Sequence, residues 1–268
     1  MPTALESSLP IAAQLNSPAS IAARRAEGRI SWTGPALLLV TRSTLWMTSL
    51  SLVALLFLAQ HRPNPWRQAC YWWSVCFTLA DVGCILGMRF FLGKEGLRLR
   101  DLFGPIRMRY GRDFFLGIGY FLLFSPGFFL GGYVAQRLFY GPTGVNPSNF
   151  ILGSHALPLW ATIYSFSLFW MINSVVEEAT YQAYVMPRLQ ALTGRTWIAF
   201  PAVAFFWTAQ HCAIGFVPDW RSVACRFVGF IPGIVIIMLI YLRTRRLAPL
   251  IVGHWIIDIS AVLMCNVF

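Results

Sequence analysis

The sequence predicts an all-α protein, a polytopic transmembrane helix bundle of seven to eight spanning helices. Of 268 residues, 57% are hydrophobic and 12% charged, against about 45–50% and about 25% in an ordinary soluble domain. Several apolar runs approach or exceed the ~20 residues that cross a hydrocarbon core about 30 Å thick. The basic residues gather in the links between those runs, as membrane proteins place them.

Residues 1–34 carry Arg24, Arg25 and Arg29 but no continuous apolar run that could act as a signal-peptide core, and they read as a mobile basic N-terminal tail. Residues 35–268 show no internal repeat and form one transmembrane domain. Spans are expected at 43–60, 69–91, 113–138, 158–187, 197–214, 225–242 and 248–267, with an eighth crossing if one long segment is broken. Pro126, Gly127, Gly131, Gly132, Pro187 and Pro232 interrupt these runs, which neighbouring helices can accommodate by satisfying the freed backbone groups.

Orientation follows from the links. Lys94, Arg98, Arg100, Arg107, Arg109 and Arg112 lie between the second and third spans, the densest positive cluster in the chain, so that link is cytoplasmic. Alternation then places the N-terminus, the Arg188/Arg195 turn and the Arg243, Arg245, Arg246 turn on the same side. The lipid bilayer thus accounts for the excess of 21 Lys and Arg over 10 Asp and Glu. No nucleic-acid-binding motif accompanies the charge, and nucleic acid is excluded as a partner. The six cysteines lack paired CxxC spacing and read as small buried apolar residues.

Ionisable groups at membrane depth cost at least ~2.5–3.5 kcal/mol on insertion scales and are candidates for function. Glu177 and Glu178 fall in the fourth span, His211 in the fifth, His254 and Asp258 in the last, and Asp81 in the second, where it reads as a helix-contact residue. The pairs His254/Asp258, Glu178/Gln182 and Trp207/His211 stand at i and i+4, each on one helical face. Three spans therefore each present a compact polar face. Where these faces meet, they form a site.

The stretches "EEATYQ" at 177–182, "WTAQH" at 207–211 and "HWIID" at 254–258 resemble the three ordered motifs of the CPBP family of intramembrane proteases, also called the ABI or type II CAAX prenyl endopeptidase family. Those motifs are EExxxR, FxxxH and HxxxN or HxxxD, and the resemblance covers roughly residues 158–268. Trp207 stands where the family has Phe and keeps a large aromatic one turn before the histidine. Gln182 stands where the family has Arg, which removes a cation one turn from Glu178 while leaving an amide able to hydrogen-bond it.

The resemblance implies an intramembrane endopeptidase acting on a membrane-bound or lipidated protein or peptide, in an integral, multi-pass protein of a bacterial-type inner membrane. Glu177 would act as general base, His211 would orient the same water, and Glu178 would support both. His254 would face the oxyanion, with Asp258 fixing its tautomer. Gln182 and Trp207 are supporting residues. No cofactor is favoured; the alternative is zinc on Glu177, His211 and His254, although the HExxH signature is absent. The competing readings are a proton-coupled transporter using the buried Glu and His residues and a non-catalytic scaffold, to which Gln182 points. Counting along the helices puts the site between the midplane and the cytoplasmic side.

Overall fold

The computed structural model describes residues 15–103, 110–152 and 157–266. Arg107 and Arg109 of the basic link and residues 1–14 of the predicted tail lie outside them. The described residues form α1 (Pro18–Ala26), α2 (Thr33–Ala59), α3 (Pro65–Cys70), α4 (Trp73–Lys94), a 3₁₀ turn at Leu99–Leu102, α5 (Tyr110–Tyr140), α6 (Pro147–Leu152), α7 (Leu159–Thr193), α8 (Thr196–His211), α9 (Trp220–Thr244) and α10 (Leu247–Asn266). Among these residues there is no strand, as an all-α bundle requires.

Among the described residues five helices, α2, α4, α5, α7 and α9, are long and apolar enough to cross a membrane. That is fewer than the seven to eight predicted. The predicted fifth span is the 16-residue α8, about 24 Å long, and the predicted last span falls on the 20-residue α10. The first span also begins earlier than expected, at Thr33 rather than 43. That shift puts Arg42 nine residues inside a helix, ~13 Å from its start.

Local chemistry sets the boundaries. Asp219 caps α9 by accepting from the Arg221 amide at 3.1 Å, which satisfies one of the helix's orphan donors. Gly194 ends α7 at φ 68°, a left-handed conformation that costs glycine little. Within α7, residues Ser165–Phe169 and Ala179–Val185 are π-helical. Pro187 follows the second of these and cannot donate to the Ala183 carbonyl, which instead accepts from Asn16 and, at 3.3 Å, from Arg188.

Two ends of the bundle can be told apart. At one, Arg188 grips Glu95 through two bonds of 2.6 and 2.7 Å, and Arg24 of α1 shares the same carboxylate at 3.2 Å. Residues 15–34, placed by sequence in a mobile tail, are thus docked: α1 buries Ile21 and Arg24. At the other end, Ser74 bonds Ser165 at 2.6 Å, Trp66 donates to the Phe216 carbonyl at 2.9 Å, and the Tyr140 hydroxyl donates to Asp219 at 3.3 Å. Burial there pushes the Cys70 thiol up to about 12, so it stays a protonated apolar residue. Among the described residues Cys70, Cys76, Cys84, Cys212 and Cys225 are free; the Cys265 side chain lies outside them.

The tightest helix crossing joins α5 to α9. A Cβ on Gly131 would stand 2.4 Å from the Gly229 carbonyl oxygen, and one on Gly127 would stand 3.0 Å from the Gly233 backbone. Two GxxxG stretches thereby let the backbones touch, as small residues do at membrane helix interfaces. With α5 so close to α9, the second half of α5 forms one wall of the cavity described next.

Candidate active site

The structure brings together all five acids and histidines singled out from the sequence. Glu177 (α7) stands 3.7 Å from His211 Nε2 (α8). Glu178 Oε1 stands 3.0 Å from His254 Nδ1 (α10), and His254 Nε2 is 3.5 Å from Asp258 Oδ1. Consecutive glutamates on a helix point about 100° apart, so Glu177 faces α8 and Glu178 faces α10. A single EE pair thus reaches two different histidines.

Four donors converge on Glu177. Trp207 Nε1 and Gln210 Nε2 (2.6 Å) donate to Oε1, while Arg42 (3.1 Å) and Asn173 (3.5 Å) donate to Oε2. Trp207 is itself held by stacking on Tyr181, with centroids 5.3 Å apart. Arg42 is fully buried and also donates to Asp81 at 2.6 Å, Asn173 at 2.8 Å and Gln210 at 2.9 Å. Its planar fork suits such a multi-acceptor site. Asp81 is accordingly the helix-contact residue expected of it, through Arg42.

Two sequence expectations change. Gln182 does not bond Glu178: it is fully buried and neither amide atom has a partner. The cause is the π-helical stretch that begins after Glu178, whose i→i+5 winding removes the i, i+4 stacking of a regular helix. Asp258 is also less tied to His254 than expected, because Asn173 (2.9 Å) and Ser174 (2.8 Å) hold its other oxygen. The shorter contact to His254 comes from Glu178.

Arg42, Gln210, Asn173, Ser174 and Tyr181 escaped sequence reasoning. Arg42 carries a signal, an arginine against the apolar run that follows it, but a span that starts at residue 43 leaves it outside. The polar neutral residues carry none, since they gain meaning only from what they face.

Glu177, His211, His254 and Asp258 line one cavity of about 440 Å³; Glu178 lies behind His254, outside the lining. The walls come from residues 128–136 of α5, 225–230 of α9, 73–77 of α4, 169–177 of α7 and 254–260 of α10. The α4, α5 and α9 portions lie toward the end marked by Ser74, Tyr140 and Asp219, so the cavity extends to that side of Glu177 and His254. His211 is the last residue of α8, so depth counted from the start of that helix carries it past the middle.

Zinc would need free lone pairs on Glu177, His211 and His254. Both oxygens of Glu177 are taken by donors, one of them a cation, and both nitrogens of His254 face carboxylates. Among the described residues no group of three or more His, Cys, Asp and Glu side chains is placed to hold a metal ion. As arranged, these residues do not fit a metal centre.

No curated protein and no solved structure matches the chain. Residues 158–260, the segment that carries Glu177, Glu178, His211, His254 and Asp258, match the family model described as Type II CAAX prenyl endopeptidase Rce1-like.

Proposed function

We propose that the protein is an intramembrane endopeptidase that hydrolyses a peptide bond of a membrane-bound or lipidated polypeptide, using water activated by Glu177 and His211. The observation that carries this reading is that Glu177, His211 and His254, from three helices, line one cavity.

His211 Nδ1 lies 2.9 Å from the Trp207 carbonyl oxygen and donates to it, which leaves Nε2 as an acceptor facing the cavity. The 3.7 Å between Nε2 and Glu177 is too long for a direct bond and suits one water donating to both. As that water attacks the carbonyl carbon, its proton passes to Glu177. The new oxyanion draws the Nε2–H of His254, 3.5 Å from Asp258, while the Nδ1–H stays on Glu178 and holds the ring. When the C–N bond breaks, Glu177 returns the proton to the leaving amine. No metal enters these steps.

Fourteen of the 21 Lys and Arg residues lie in the N-terminal segment, in or beside the α4–α5 link, or near the α7–α8 and α9–α10 turns. This supports a cytoplasmic N-terminus, with α8 and α10 as the remaining two of seven crossings. The short links suit a bacterial-type inner membrane.

The test compares N-termini of membrane proteins in cells making the wild-type chain or Glu177→Gln. Fragments that appear only with the wild type support the reading. Identical profiles at equal expression reject it in favour of a scaffold.

A further inference from the structure

Asp81 is a buried acid that the cleavage steps above leave unused. It is the ninth residue of α4, fully buried, and does not line the cavity that holds Glu177 and the histidines. Among the described residues its one ion pair is with Arg42, Nη1 to Oδ1 at 2.6 Å, and its other oxygen has no hydrogen-bond partner. A neutral amide of the same shape would accept that bond from Arg42 without the expense of burying a charge. Contact between two helices therefore does not account for the charge of Asp81.

The needs of Arg42 do account for it. This fully buried cation reaches two carboxylates through different nitrogens, Nη1 to Asp81 and Nη2 to Glu177 at 3.1 Å. With both acids ionised the three groups carry one negative charge in excess. Asn173, Gln210 and Trp207, which complete the cluster, are neutral and add hydrogen bonds without altering that balance.

The count bears directly on the base. When Glu177 takes the proton of the attacking water it loses its charge. A guanidinium paired with Glu177 alone would then stand unpaired in the interior, which is strongly unfavourable. With Asp81 in the shorter of the two contacts, Arg42 keeps an anion throughout. The trio passes from one excess negative charge to neutrality as the proton arrives, and returns as Glu177 gives that proton to the leaving amine. The histidines do not supply this balance: His211 faces Glu177 with an acceptor nitrogen, and His254 is paired with Glu178 and Asp258.

We infer that Asp81 is a positioning residue for the reaction, acting through Arg42: it holds that cation so that Glu177 can change between its ionised and protonated forms. This rests on the endopeptidase reading.

The test uses the full chain carrying Asp81→Asn or Asp81→Glu. Each is scored for the rate at which Glu177-dependent termini appear in membranes and for the thermal midpoint of the detergent-solubilised protein. Asp81→Asn keeps an oxygen for Arg42 and removes one buried charge, so its midpoint is expected at or above that of the wild type. Its rate is expected to fall roughly a hundredfold, the low end of what a positioned base contributes. Asp81→Glu forces a methylene into packed surroundings and is expected to unfold earlier, yet to retain the larger part of the rate because the charge is kept. Rate and stability then move in opposite directions, which a purely structural role would not produce. Cutting by Asp81→Asn at the wild-type rate, equal loss in both variants, or rates that follow the midpoints overturn the inference and leave the endopeptidase standing. No Glu177-dependent terminus with the wild type at equal expression overturns both.

Discussion

Arg42 and Glu177 lie 135 residues apart in sequence and meet as a fully buried ion pair, guanidinium nitrogen to carboxylate oxygen 3.1 Å. Arg42 also neutralises Asp81 at 2.6 Å, so one cation serves two acids. It belongs to α2, outside the family-matching segment. Where the family motif would carry an arginine on the acids' own helix, this chain has Gln182 and brings the charge from a neighbouring helix.

Arg42→Gln leaves two buried carboxylates without their cation, and removing one partner of a buried pair costs about 3–5 kcal/mol. The expected result is a marked fall in the thermal midpoint of the detergent-solubilised protein. Arg42→Lys keeps the charge but loses the fork that reaches Asn173 and Gln210 together, so it should fall between wild type and Arg42→Gln. Equal stability of all three would mean that the pair is not formed.

Gln182 gives the opposite prediction. Its amide is buried with no partner, and an unsatisfied buried polar group costs about 1–3 kcal/mol. Gln182→Leu, similar in volume, should leave stability unchanged or raise it, and should keep activity. A loss of cleavage in a stable Gln182→Leu protein would show that the amide has a partner in the working enzyme.

Much of the site was legible before the fold. Spacing alone put His254 and Asp258 on one face, and the rarity of charge at membrane depth marked Glu177, Glu178 and His211. Gln182 failed because the i, i+4 rule presumes α winding, and a π segment cannot be read from composition. The direction of the cavity was not legible. That direction depends on how far each helix is offset along the membrane normal, which packing decides: glycine contacts fix α5 against α9, and a carboxylate shared by two arginines fixes α4 against α7.

The glycine crossing is testable on its own. Gly131→Leu must fit a side chain where a Cβ already stands 2.4 Å from the Gly229 oxygen, and forcing atoms into a packed interface costs typically ~1–3 kcal/mol. Gly132, its neighbour, has nothing within 4 Å of a Cβ. Gly132→Ala should be nearly neutral in thermal unfolding while Gly131→Leu is not; equal effects would argue against the α5–α9 contact.

The two histidine-to-carboxylate contacts of His254 differ in length, and the difference orders a last set of variants. Glu178 Oε1 is 3.0 Å from Nδ1, whereas Asp258 Oδ1 is 3.5 Å from Nε2 and its other oxygen is held by Asn173 and Ser174. His254→Ala removes the group that faces the oxyanion, and loss of one such donor costs about 10²–10³ in rate. Glu178→Ala frees the ring to turn and should approach that loss, while Glu178→Gln keeps an acceptor and should retain part of the rate. Asp258→Asn keeps a side-chain oxygen for Ser174 and should be the mildest of the four. The rate at which a Glu177-dependent terminus appears in membranes measures the order. Asp258→Asn as damaging as His254→Ala would assign Asp258 a direct part in the chemistry, beyond aiming the histidine.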